Sequence, residues 1–209
     1  MNKKILSLTT TLLLVLLFAS CGMRRCPTTF DEGVVINGIR WATRNVDAPG
    51  TFAESPESPG MFFQWNRRQG WNTTDENVEG WDNSIPTGTK WYAKNDPCPR
   101  GWRVPNIEEL NELRDTHEWV TRNGVSGRVF GTYPYQIFLP AVSSRHSNCG
   151  TLAVTYYLWG NYWYRDALSE YWTTPQRDEL AHSFYFSSRR VISGTDNRAN
   201  GFNIRCVAK

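Results

Sequence analysis

The sequence predicts a sheet-rich α+β domain of short strands, few helices and long loops. Three observations predict it. An Asn-Gly pair stands between apolar runs in Val34-Val35-Ile36-Asn37-Gly38-Ile39-Arg40-Trp41, the strongest short cue for a β-hairpin, because both turn residues tolerate positive φ. Long helical patterns are scarce, and the one clear helix start falls at Asn106. Ten tryptophans, nine tyrosines and ten phenylalanines supply bulky fillers for a sheet core, with Gly, Asn and Pro between them marking connections.

The N-terminus sets the compartment. Lys3 and Lys4 form a positive region, an apolar run from Leu12 to Phe18 follows, and Ala19-Ser20-Cys21 ends it. Residues 1–20 read as a secretory signal, too short for a spanning helix. The small residues before Cys21 resemble the lipobox of bacterial lipoproteins, with Phe18 where leucine is commoner. That resemblance implies lipidation of Cys21 as the first mature residue, with palmitate-type acyl chains of which two already anchor firmly. An ordinary secreted protein cut near Cys21 is the other reading. Residues 21–32 then hold the lipidated cysteine and a tether, and residues 33–209 form one domain. Roughly 190 mature residues suffice for a single buried core.

Charge excludes one class of partner. Once Lys3 and Lys4 are set aside, 21 of the 23 basic residues face 20 acidic ones. A net charge of about +1 is no footprint for nucleic acid. Many surface-exported lipoproteins of Bacteroidota carry an acidic stretch after the cysteine. Gly22-Met23-Arg24-Arg25 stands here instead, which points to an outer-membrane anchor facing the periplasm.

The elements follow in order. The Asn37-Gly38 turn predicts Ile36 opposite Ile39 and Val34 opposite Trp41. Pro49, Gly50, Pro56, Pro59 and Gly60 make residues 47–60 a loop. Residues 61–91, with Trp65, Trp71, Trp81 and Trp91, read as short strands and loops. Asn106 caps a helix, with Glu109 completing a capping box and Ile107, Leu110 and Leu113 on one face. The helix is expected to reach Asp115 or Trp119. Residues 137–141 read as a buried strand ending at Pro140, and 143–155 as a polar loop. An aromatic run, Tyr156 to Tyr164, is broken by Gly160-Asn161 as by a loop. Tyr171 to Thr174 and Ala181 to Ser187 read as strands, and 193–201 as a loop. In the last strand Phe202, Ile204 and Cys206 face one way, Asn203, Arg205 and Val207 the other.

Several of these segments resemble the Fibrobacter succinogenes major paralogous domain. They are Ile36-Asn37-Gly38 through Asn45, Asp96-Pro97-Cys98-Pro99-Arg100-Gly101-Trp102-Arg103-Val104-Pro105 with Glu109-Leu110, and Phe138-Leu139-Pro140-Ala141. Tyr171-Trp172-Thr173-Thr174 and Gly201-Phe202-Asn203-Ile204-Arg205-Cys206-Val207 complete the set, in the family's order, over residues 33–208. The resemblance implies a C-type-lectin-like fold of twisted antiparallel sheets, found in envelope lipoproteins. It brings no established catalytic residues.

The chemistry is then weighed residue by residue. With Cys21 lipidated, four cysteines allow three full pairings. The motif positions favour Cys98 with Cys206, a tie worth roughly 4–5 kcal/mol in the chain-entropy view. Cys26 and Cys149 are left either as a second bridge or as free thiols, and Arg145 and His146 stand near Cys149 in sequence as groups able to depress its pKa. His117, His146 and His182 lack zinc spacing. Asp166, Asp178 and Asp196 are loop carboxylates open to a structural calcium. Calcium-dependent lectins of the similar fold use a Trp-Asn-Asp strand, where this chain has Trp159-Gly160-Asn161. No cofactor is therefore expected. Motifs for an activated serine, a P-loop or a dinucleotide site are missing.

The aromatics remain. Tyr157, Trp159, Tyr162 and Trp163 are the candidate ligand platform, against the alternative that they fill the core. The expected function is binding, not catalysis: a lipid-anchored envelope protein taking a glycan or protein ligand. A structural or assembly component of the envelope or of a surface appendage is the alternative, and an enzyme of the sulfatase-modifying type stands behind both.

Overall fold

The computed structural model describes residues 28–114, 117–153, 160–167 and 178–209. The expected signal, Cys21, Cys26, Tyr157, Trp159 and the strand expected at 171–174 lie outside these residues. In chain order the elements are β1 (Val34–Ile36), β2 (Ile39–Asn45), β3 (Phe62–Gln64), β4 (Gly70–Trp71), β5 (Trp102–Arg103), α1 (Ile107–Asn111), β6 (His117–Arg122) and β7 (Val125–Thr132). Then come β8 (Tyr135–Pro140), β9 (Gly160–Ala167), β10 (Leu180–Phe186), β11 (Val191–Asn197), β12 (Gly201–Phe202) and β13 (Arg205–Ala208). They form four small sheets, ordered β1-β2-β13-β5, β12-β3-β4, β6-β7-β8 and β9-β10-β11. The strand ladders are antiparallel, and α1 is the one α-helix among the described residues. This is a mixed α+β fold, as the sequence predicts.

Three strands organise the interior by simple alternation, since neighbouring residues of a strand point to opposite faces. On β2, Trp41 enters one apolar cluster and Ala42 another. On β9, Tyr162 and Trp163 divide in the same way, and on β13 so do Val207 and Cys206. These strands therefore run between two cores and are buried on both sides. The C-terminal alternation is as expected: Phe202, Ile204 and Cys206 share one cluster.

The first hairpin has the expected register, Val34 opposite Trp41 and Ile36 opposite Ile39, with φ of 49° at Asn37 and 80° at Gly38. The helix is shorter than expected. Its capping box forms, with Asn106 accepting from the Glu109 amide and Glu109 from the Asn106 amide. Glu112 then closes it, and Trp119 lies in β6. A second Asn-Gly turn explains the switch. Asn123 and Gly124 have φ of 49° and 81° and fold β6 onto β7 with Arg122 opposite Val125. So short a helix is marginal by itself, whereas β6 gains a full ladder.

Two further expectations are corrected. Residues 193–197 belong to β11, paired with β10 from Val191–Phe186 to Asn197–Leu180. Gly194 permits this, because a Cβ there would meet the Tyr185 hydroxyl at 2.5 Å. Gly160-Asn161 does not interrupt the aromatic run as a loop but opens β9. Residues 28–32, before the first strand, make contacts of their own. Thr28 bridges Phe52, and buried Asp31 accepts bonds from the Gly33 and Thr43 amides, the Thr43 hydroxyl and Arg44 Nε.

Candidate functional site

The two cysteine motifs meet. Cys98 and Cys206 form a disulfide across 108 residues, with Cα atoms 6.1 Å apart. The residues around Cys98 serve this junction. Asp96 accepts from the Cys98 amide at 2.9 Å and the Val104 amide at 3.2 Å, and its burial pushes its carboxyl pKa up. Arg103 holds Glu109 with two bonds of 2.7 and 2.5 Å, which ties β5 to the helix start. Gly101, at φ 88°, makes the turn, and its carbonyl accepts from Lys209 N. The motif is a clamp that joins the C-terminal strand to α1.

Of the expected platform, Tyr162 and Trp163 are buried and leave no ring face for a ligand. Trp163 donates from Nε1 to the Phe63 carbonyl at 2.8 Å and stacks on Phe202 at 4.4 Å. Tyr162 donates to the Pro140 carbonyl and accepts from Asn45 Nδ2, both at 3.2 Å. Burial raises its phenol pKa to about 12. The physical reason is the two-core arrangement: a strand buried on both faces has no solvent side for either residue.

Cys149 is an exposed free thiol. Its pKa is lowered by hydrogen bonds from the Thr151 side chain and backbone, not by Arg145 and His146 as the sequence order suggests. Arg145 turns inward and donates to the carbonyls of Asn72, Asp75 and Gly150. Asp196 accepts from Ser183 Oγ, and burial raises its pKa. Among the described residues no three His, Cys, Asp or Glu side chains group as metal ligands.

Two of the four exposed aromatics among the described residues, Tyr133 and Tyr135, lie at the tip of the β7–β8 hairpin, with Phe30 and Tyr92 elsewhere. Tyr133 is 83% and Tyr135 64% exposed, and Val35 beside them on β1 is 45% exposed. These are three of the five large hydrophobic side chains exposed among the described residues, so the apolar surface is concentrated here. Val35 and Tyr135 line a pocket of about 190 Å³, and Tyr133 stands two residues from Tyr135 outside the lining. One wall is the β1 turn (Val35, Ile36, Asn37), a second is Glu112 and Leu113 after α1, and a third is Gly131, Thr132 and Tyr135. Gly131 has φ 93°, and a Cβ there would meet the Tyr135 carbonyl at 2.4 Å and Ile36 Cδ1 at 3.0 Å. A glycine is therefore what brings the tyrosine hairpin against β1. Asn37 Nδ2 donates to the Glu112 carbonyl at 3.2 Å, fixing the second wall to the first and leaving Oδ1 as an acceptor. Glu112 is the sole charged group in the lining.

The sequence carried one signal for this site, in Gly131-Thr132-Tyr133-Pro134-Tyr135: two aromatics around a proline, just before the predicted strand 137–141. Nothing local said that the Asn37 turn and the end of α1 would complete it.

No protein-family model matches the chain, and neither curated proteins nor solved structures yield a match.

Proposed function

We propose that this chain is a lipid-anchored envelope protein related to the Fibrobacter succinogenes major paralogous domain, with a C-type-lectin-like domain. It acts by binding and not by catalysis, and its ligand is a neutral glycan taken at the Tyr135 pocket. The observation that carries this reading is exposed Tyr135 in the wall of a small pocket edged by Asn37, Glu112 and Thr132, with exposed Tyr133 two residues away. A sugar ring offers an apolar C–H face to an aromatic ring and hydroxyls to neighbouring acceptors and donors. A lining without a cation favours a neutral ligand over an anionic one.

Glycan-array binding of wild type, Tyr133→Ala and Tyr135→Ala tests it. Loss of a stacking ring worth about 1–2 kcal/mol weakens binding roughly 5- to 30-fold. Equal binding by wild type and Tyr135→Ala refutes the site. No glycan bound at all moves the reading to the assembly role, which exposed Val35 beside the rings favours by extending the apolar surface toward a protein partner. The anchor has its own test: Cys21→Ala is expected to release the protein from the membrane fraction, and retention refutes lipidation.

A further inference from the structure

A second cleft, of about 400 Å³, is lined by Asn111, Arg114, His117 and Val191, residues distinct from those of the tyrosine pocket. Behind it lies Arg128 of β7, buried at 4% exposure. Its Nε donates to the Ser187 carbonyl at 2.8 Å and its Nη1 sits 2.7 Å from His117 Nδ1. Both partners are neutral acceptors. Among the described residues no carboxylate receives a hydrogen bond from this guanidinium. Held by these two neutral groups, the buried cation has no counter-charge among the described residues it bonds.

The contact also fixes the histidine. A guanidinium only donates, so Nδ1 is the acceptor and the neutral ring carries its proton on Nε2. His117 is exposed, and its Nε2–H is a donor turned away from Arg128. Arg114, exposed at the end of the helical turn, adds a fork of donors and a positive charge to the same cleft. Glu118, the next residue of β6, projects to the opposite face by strand alternation. Asn111 is neutral and Val191 apolar.

We infer that this cleft binds an oxyanion, a phosphate, sulfate or carboxylate group, held by the Arg114 guanidinium and the His117 Nε2–H and backed by the charge of Arg128. The anion supplies a counter-charge that the two described acceptors of Arg128 do not. Burial first, and the Arg128 charge second, hold the His117 pKa below its ordinary value, and a bound anion raises it.

The test is a titration of the full-length protein with sodium sulfate and with sodium phosphate, ionic strength held constant with sodium chloride. It is read at the His117 ring nitrogens by NMR. A saturable shift, with a higher His117 pKa in sulfate than in chloride, is expected. Arg114→Gln, a surface change, weakens the affinity at least tenfold, while Tyr135→Ala leaves it unchanged. Asp115→Asn, beside Arg114 in sequence, leaves the affinity unchanged or raises it. Phosphatidylglycerol vesicles that move the same resonances assign the anion to a lipid headgroup; vesicles without effect, alongside saturable sulfate, assign it to a soluble ligand. A response that never saturates, equal affinity in wild type and Arg114→Gln, or loss in Asp115→Asn overturns the inference. Because Tyr135→Ala and Arg114→Gln alter separate sites, failure of either reading leaves the other standing.

Discussion

Replacing Arg205 by methionine probes the centre of the fold. Arg205 is 1% exposed. Its guanidinium donates to Asn45 Oδ1 at 3.0 and 2.8 Å, to the Ala42 carbonyl at 3.1 Å and to the Phe138 carbonyl at 3.0 Å. One side chain thus joins β2, β8 and β13. Methionine keeps most of the length and donates nothing, so three buried acceptors lose this partner. At about 1–3 kcal/mol for each stranded group, the gross cost is roughly 3–9 kcal/mol. Part is offset, because the charged guanidinium is itself costly to bury: desolvation depresses its pKa to about 10. A net destabilisation of about 3–5 kcal/mol remains. Urea unfolding of the oxidised protein, followed by tryptophan fluorescence, measures it. Asn45→Leu in the same chain removes the doubly used acceptor, so the double variant loses about 1–2 kcal/mol less than the two singles together. A loss below about 1 kcal/mol in Arg205→Met, or strict additivity with Asn45→Leu, refutes the reasoning.

Three other outcomes follow from the same geometry. Cys98→Ala with Cys206→Ala opens a loop of 108 residues and is expected to cost roughly 4–5 kcal/mol in urea unfolding, with a change under about 1 kcal/mol counting against the clamp. Trp163→Ala is expected to lose about 3–5 kcal/mol of stability, as a buried tryptophan does, and an unchanged melting curve would place the ring at the surface after all. Tyr162 makes stability fall at alkaline pH. Its pKa is about 12 in the fold and about 10 in the unfolded chain, so the fold keeps a proton that the unfolded chain has lost. The associated stability is complete below about pH 10 and declines by roughly 2–3 kcal/mol as pH rises toward 12. Tyr162→Phe removes that part of the slope, and equal slopes in the two proteins would contradict the assignment.

The places where sequence and structure part are instructive. Asn37-Gly38 announced its hairpin, because turn chemistry is local and both φ values are positive there. Asn123-Gly124 carries the same cue, yet the capped helix just before it suggests a longer helical run. The choice between helix and strand at His117 to Arg122 was made by β7, which is supplied from farther along the chain. Gly194 and Gly160 read as loop residues until their partners, Tyr185 and Phe186, show why each needs a missing side chain. The Tyr135 pocket was illegible for a similar reason. Its three walls come from residues 35–37, 112–113 and 131–135, and no single segment contains the shape.

The sequence by itself determined the capping box at Asn106, the first hairpin with its register, the alternation of Phe202, Ile204 and Cys206, and the sheet-rich α+β class. Each depends on periods of two or on turn residues, which act over a few positions. Tertiary structure decided which aromatics see water. Tyr162 and Trp163 looked like a platform, but β9 passes between two cores and buries both. Tyr133 and Tyr135 stand outside because their hairpin projects at its tip. Exposure is a property of neighbours brought from across the chain, so it could not be read from the residues alone.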